Sequence, residues 1–157
     1  MSDKKVEEKN IRISPHSTDA EEAVLGCMLI NSESVSKAIQ ILDSDSFYNK
    51  ANSIIFENMK ELFDNNDTID YVSITDKLKN KKQLDLVGGL YYITGLTKKA
   101  PSAQSVEYYA NIVKEKEILR KIISVAINIS KEAYESSDEA TNILDKAEQI
   151  LFNVSQD

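Results

Sequence analysis

The chain is short of the residues that break helices and of those that carry chemistry. Its 157 residues include four glycines, two prolines, one cysteine, one histidine and no tryptophan. So few Gly and Pro leave little room for the turns of a β fold, and composition favours helices. The lone Cys27 cannot form an intrachain disulfide. Its neighbours Val24, Leu25, Met28 and Ile30 mark it as a core thiol rather than a nucleophile. The lone His16 rules out a multi-histidine metal site and weakens any acid–base chemistry. No apolar run reaches the roughly 18 residues of a membrane span, and the N-terminus lacks a secretory apolar core. A cytoplasmic protein with no membrane contact is expected. Positive charge is also scarce: 19 Lys and Arg stand against 26 Asp and Glu, a net charge of -7. An acidic surface repels phosphate backbones, which argues against direct nucleic-acid binding. The small clusters Lys79, Lys81, Lys82 and Lys98, Lys99 read as solvated faces.

What is present is helical periodicity, above all from Ser102 to Gln156. No Gly or Pro interrupts Ser102 to Tyr134. Ile112, Leu119, Ala126 and Ala133 recur every seven residues, with Ile122, Ile123 and Ile129 between them. Glu135-Ser136-Ser137-Asp138 breaks the run, with Ser137 or Asp138 as an N-cap. A second helix then carries Ala140, Ile143, Leu144, Ala147, Ile150, Leu151 and Val154 on one stripe. The two helices fold back as an antiparallel pair. That pairing leaves Ile118, Val125 and Ile127 over. Either the rest of the chain packs there or another molecule does, and the second reading is favoured.

Upstream, Met1 to Ser14 reads as a disordered tail. Thr18 with Glu21 fits a capping box for a first helix running to about Ile30, in which Gly26 implies close helix packing. Short helices follow around Val35–Leu42, Ala51–Asp64 and, after an Asp70 N-cap, Val72–Leu78. Phe47 and Tyr48 look like aromatic plugs for the core. Leu90 to Thr94 has strand propensity but no partner strand, so a helix is expected. Pro101 closes this section and Ser102 can cap the long helix. The expected architecture is all-α: residues 15–116 a compact multi-helix head, residues 117–157 a long-helix/short-helix antiparallel hairpin.

The search for chemistry comes back empty. Tyr91, Tyr92, Tyr108 and Tyr109 have no basic residues interleaved in sequence, so they read as core and interface rather than base-stacking platforms. Asp and Glu fall on helix exteriors or caps. Gly88, Gly89 and Gly95 lack the spacing and the lysine of a phosphate-binding loop. No catalytic, cofactor or metal residues are assigned. A small acid–base enzyme is the weakest reading of the chain.

Several stretches, in order and in register, resemble one family. Pro15-His16-Ser17 through Ala20-Glu21-Glu22-Ala23-Val24-Leu25-Gly26 is similar to the opening of the N-terminal domain of DnaB-type bacterial replicative DNA helicases. Asp45-Ser46-Phe47-Tyr48 with Ile55-Phe56 is similar to a second signature. Ile69-Asp70 with Leu84 and Val87-Gly88-Gly89 is similar to a third. Pro101-Ser102-Ala103 and Tyr109 to Lys116 resemble the start of its long helix. The resemblance implies a helical head and hairpin without a catalytic site. It implies a hexameric ATP-dependent parent whose RecA-like motor, with its ATP and Mg, would follow beyond a linker, so that this chain is a piece of it. It implies paired hairpins, a collar of three dimers, and docking of the primase C-terminal helicase-binding domain. The self-association surface expected on these grounds is Ile118, Ile122, Val125, Ile129, Ile143, Leu144, Ile150 and Leu151. A free-standing helical adaptor unattached to any motor is the alternative.

Overall fold

The computed structural model describes residues 12–101 and 105–156. Most of the expected tail, residues 1–11, and the expected cap Ser102 lie outside them. Among the described residues there are seven α-helices and no strand. They are α1 Thr18–Ile30, α2 Ser32–Ile41, α3 Lys50–Asp64, α4 Tyr71–Asn80, α5 Gly89–Thr97, α6 Val106–Glu135 and α7 Ala140–Gln156. Two single 3₁₀ turns, Ser44–Ser46 and Asp85–Val87, join them.

Helix α1 is the centre of the head. Val24, Leu25 and Met28 are wholly buried, and α2, α3, α5 and α6 all pack on it. An element covered on every side has to be apolar on every side, and nine of its thirteen residues are buried. Gly26 is the close contact expected of it. A Cβ there would sit 2.2 Å from the Leu96 carbonyl oxygen, so α1 and the end of α5 meet backbone to backbone. Ile55, Phe56 and Met59 of α3, Ile74 and Leu78 of α4, and Ile93 and Leu96 of α5 complete the core.

Capping chemistry sets the boundaries. The Asp70 carboxylate accepts from the Ser73 N–H, and the Ser73 hydroxyl accepts from the Asp70 N–H, a reciprocal box that opens α4. Gly88 at φ 101° and Gly89 at φ 73° turn the chain into α5 through left-handed backbone that other residues rarely adopt. The expected capping box at Thr18 and Glu21 does not form. Ser17 is the N-cap, its hydroxyl accepting from the Ala20 N–H, and Glu21 is drawn inward instead. Tyr48 is 48% exposed rather than a core plug, whereas Phe47 is buried against Phe56. Helix α6 starts at Val106 after Ser105, and α7 starts at Ala140, beyond the expected caps Ser137 and Asp138.

Helix α6 belongs to both halves of the molecule. Its first turns bury Val106, Ala110 and Val113 in the head. At about 1.5 Å per residue its 30 residues run about 45 Å. Among the described residues, α7 packs on α6 alone; it returns along that helix and has no buried residue of its own.

Candidate assembly interface

The hairpin is rooted by charge inside an otherwise apolar packing. Arg120 reaches back from α6 and donates to the carbonyl oxygens of Pro15 and Ser46, each at 2.8 Å. Its guanidinium lies 5.6 Å from the centre of the Tyr48 ring, which stacks on His16 at 4.2 Å. One turn earlier Glu117 is 3% exposed and pairs with Lys114 at 3.1 Å and Lys121 at 3.2 Å. Burial pushes the Glu117 carboxyl up, but Lys114, Ser46 and Lys121 outweigh it and hold it below its ordinary value. A second buried carboxylate, Glu21, accepts from the N–H groups of Tyr48 and Asn49 and from the Asn52 amide at 3.0–3.2 Å. It thereby serves the unpaired donors at the start of α3. Asn52 in turn accepts from the Tyr92 hydroxyl. Burial, then nearby Glu22, push that phenol up to about 12. The expectation that every acid sits on a helix exterior or cap therefore fails at Glu21 and Glu117. Each is held by donors distant in the chain or by lysines on its own helix face.

From Ile118 on, Arg120 aside, the hairpin separates into a seam and a face. On α6 the half-buried positions are Ile118, Lys121, Val125, Ile129 and Glu132. On α7 they are Ile143, Ala147, Ile150 and Val154. Each set follows helical spacing, and these two stripes face each other. The sequence expectation had the stripes partly reversed. Ile118 and Val125, expected to be left over, are in the seam. Leu119, Ile122 and Ala126 are exposed. Of the eight expected surface residues, Ile118, Val125, Ile129, Ile143 and Ile150 thus line the seam, while Ile122 (43% exposed), Leu144 (58%) and Leu151 (47%) lie open.

The open residues form one surface. At about 100° per residue, Leu119, Ile122, Ala126 and Ala133 follow the α6 seam in the same rotational sense as Leu144 and Leu151 follow the α7 seam. In an antiparallel pair that shared sense puts both stripes on the same side of the hairpin. The result is a two-helix slab with an apolar broad face. Phe152, 62% exposed and not singled out from the sequence, lies off this face, on the side of α7 away from α6. On the opposite side of α6 from α7 stand Ile123, Ile127 and, near the tip, Tyr134.

Among the described residues no group of three or more His, Cys, Asp or Glu could hold a metal ion. No helix among them is long and apolar enough to cross a membrane. One electrostatic reading changes: the fold brings Lys98 and Lys99 onto the groove lined by Tyr91 and Tyr92, although sequence kept them apart. Lys99 is partnered there by Glu22 at 3.6 Å.

The head with the first turns of α6, residues 13–115, matches the DnaB-like helicase N-terminal domain. The chain belongs to that family. The replicative DNA helicase DnaC of Bacillus subtilis is 36% identical over 147 residues, 94% of this chain and 32% of that protein. The crystal structure of the N-terminal domain of DnaB helicase from Mycobacterium tuberculosis superposes with a TM-score of 0.84 at 24% identity, covering 90% of this chain and 99% of that one. A DnaB-like replicative helicase solved with its interactions with primase gives a TM-score of 0.73 at 24% identity, over 88% of this chain and 31% of that one. The last two share the fold. The chain spans about a third of the length of the curated relatives it matches.

Proposed function

We propose that this DnaB-family domain is a non-catalytic assembly and primase-docking element of a hexameric replicative DNA helicase acting in the cytoplasm. The observation that carries the reading is the apolar broad face of the hairpin formed by Leu119, Ile122, Leu144 and Leu151. Two copies of such a face bury each other as a four-helix bundle, an isologous contact in which the same patch serves both partners. At about 25 cal/mol per Å2, a few aliphatic side chains supply enough burial for a micromolar dimer. Three such dimers would make a collar for a motor ring, and the motor would supply the ATP and Mg chemistry. Primase held on the collar would work at a raised local concentration. The primase reading draws support from the relative solved with its interactions with primase. An acidic collar would also leave encircled DNA free to slide.

Ile122→Glu places a charge in the middle of the face without touching the seam. In sedimentation velocity the wild-type chain should show a concentration-dependent dimer, and the variant should stay monomeric with unchanged helical circular dichroism. A variant that dimerises like the wild type would sink the assignment.

A further inference from the structure

Val113 is the last residue of α6 in the apolar core of the head. Four and seven residues on, Glu117 and Arg120 continue the same helix face in polar groups. The overhang beyond them is long and stiff. No Gly or Pro interrupts α6, so it has no kink site of its own. From Arg120 to its end at Glu135 the helix runs about 24 Å at about 1.5 Å per residue. A tilt of about 10° at Arg120 would therefore carry the hairpin tip about 4 Å. Small changes at the junction become large ones at the far end of the open face.

Arg120 holds that junction from two directions. One guanidinium nitrogen donates to Pro15, at the entry to α1, and the other to Ser46, in the 3₁₀ turn between α2 and α3. Both acceptors are themselves fixed. The Ser46 turn is closed by a reciprocal box with Asp43, and the Ser53 hydroxyl donates to the Ser44 carbonyl at 2.7 Å. On the other side Ser17 caps α1, and His16 donates from Nδ1 to the Ser14 carbonyl at 2.7 Å. Tyr48 stands between the two loops, with His16 stacked on its ring and Arg120 beside it. One bond would leave α6 free to pivot about it. Two bonds to separate, rigid loops remove that pivot, and the planar fork of an arginine can make both at once.

We infer that Arg120 is a positioning residue, a clasp that sets the angle between the hairpin and the head. Its acceptors are neutral carbonyl oxygens at 2.8 Å, so it acts through geometry rather than through long-range attraction. In a pair of hairpins the same angle would decide how far apart the two heads stand. The clasp itself works within one chain and does not rest on that pairing.

The test is a distance within one chain. Spin labels at Glu57→Cys on α3 and Lys131→Cys near the tip, both exposed positions, go into a Cys27→Ala chain diluted with a large excess of unlabelled chain. Pulsed dipolar spectroscopy should give one narrow distance in this parent. Arg120→Met removes both bonds and keeps a long side chain. It should broaden or displace the distance by about 4 Å or more, the tip movement of a tilt of about 10°, with helical circular dichroism unchanged. Arg120→Lys should fall between the two. A distance as narrow and as placed in Arg120→Met as in the parent would overturn the inference. A lower urea midpoint with that same distance would make Arg120 a stability residue only, and would overturn it equally. So would a parent distribution already as broad as that of Arg120→Met. Should Arg120→Met fail to fold, Arg120→Lys decides: broadening supports the clasp, and an unchanged distance overturns it.

Discussion

Gly26 shows how much a single atom can matter in this head. Its absent Cβ is what lets the Leu96 carbonyl lie against α1, and α1 is the element everything else packs on. Gly26→Ala should therefore cost about 1–3 kcal/mol, the usual penalty for overpacking, even though Ala favours a helix by about 1 kcal/mol. Urea unfolding monitored by circular dichroism would read the loss, and a stabilised variant would contradict the close approach. Glu21 and Glu117 carry the same lesson for polar atoms. Each is buried, and each is tolerated because its charge is answered: Glu21 by N–H groups at the entry to α3, Glu117 by ion pairs with two lysines. Neither was visible in the sequence, where a glutamate in a helix looks the same whether it faces water or a distant backbone N–H. Cys27 was visible. The thiol is buried, and burial pushes its pKa up, as its apolar neighbours implied.

At the scale of elements, the decisive one is α6, which is head at one end and hairpin at the other. The change occurs at Glu117 and Arg120. Because the folded Glu117 carboxyl lies below its ordinary value of 4.5, its ion pairs stabilise the fold at neutral pH. That contribution is lost as pH falls through the carboxylate range. The urea midpoint should drop on acidification below about pH 4.5, and Glu117→Gln should flatten that acid limb. An acid limb identical in the two proteins would show that the lysines do not hold the charge. The helices themselves were legible from their periods, and α4 from its Asp70 cap, including α5, where a local strand preference had no partner to pair with. The division of α6 into seam and open face was not. A helix apolar on most of its circumference offers several stripes, and only the position of α7 selects Ile118, Val125 and Ile129 as the half-buried one. Arg120 was missed for a related reason. Its partners, the carbonyls of Pro15 and Ser46, are far away in the chain and belong to the backbone.

The whole molecule is an acidic helical head carrying a slab that is unfinished on one side. The comparisons place the chain in the DnaB-like N-terminal domain family and its fold; the self-association proposed for it rests on the open face of the hairpin. The open face is the central claim, and a distance between copies tests it most directly. A single spin label on the exposed tip residue Ser137, in a Cys27→Ala background, reports nothing in a monomer. In an isologous dimer it gives one defined label-to-label distance. Pulsed dipolar spectroscopy should show that distance, with a modulation depth that rises with protein concentration and vanishes in Ile122→Glu. A flat trace at every concentration, or a signal that survives Ile122→Glu unchanged, would contradict pairing through the hairpin face.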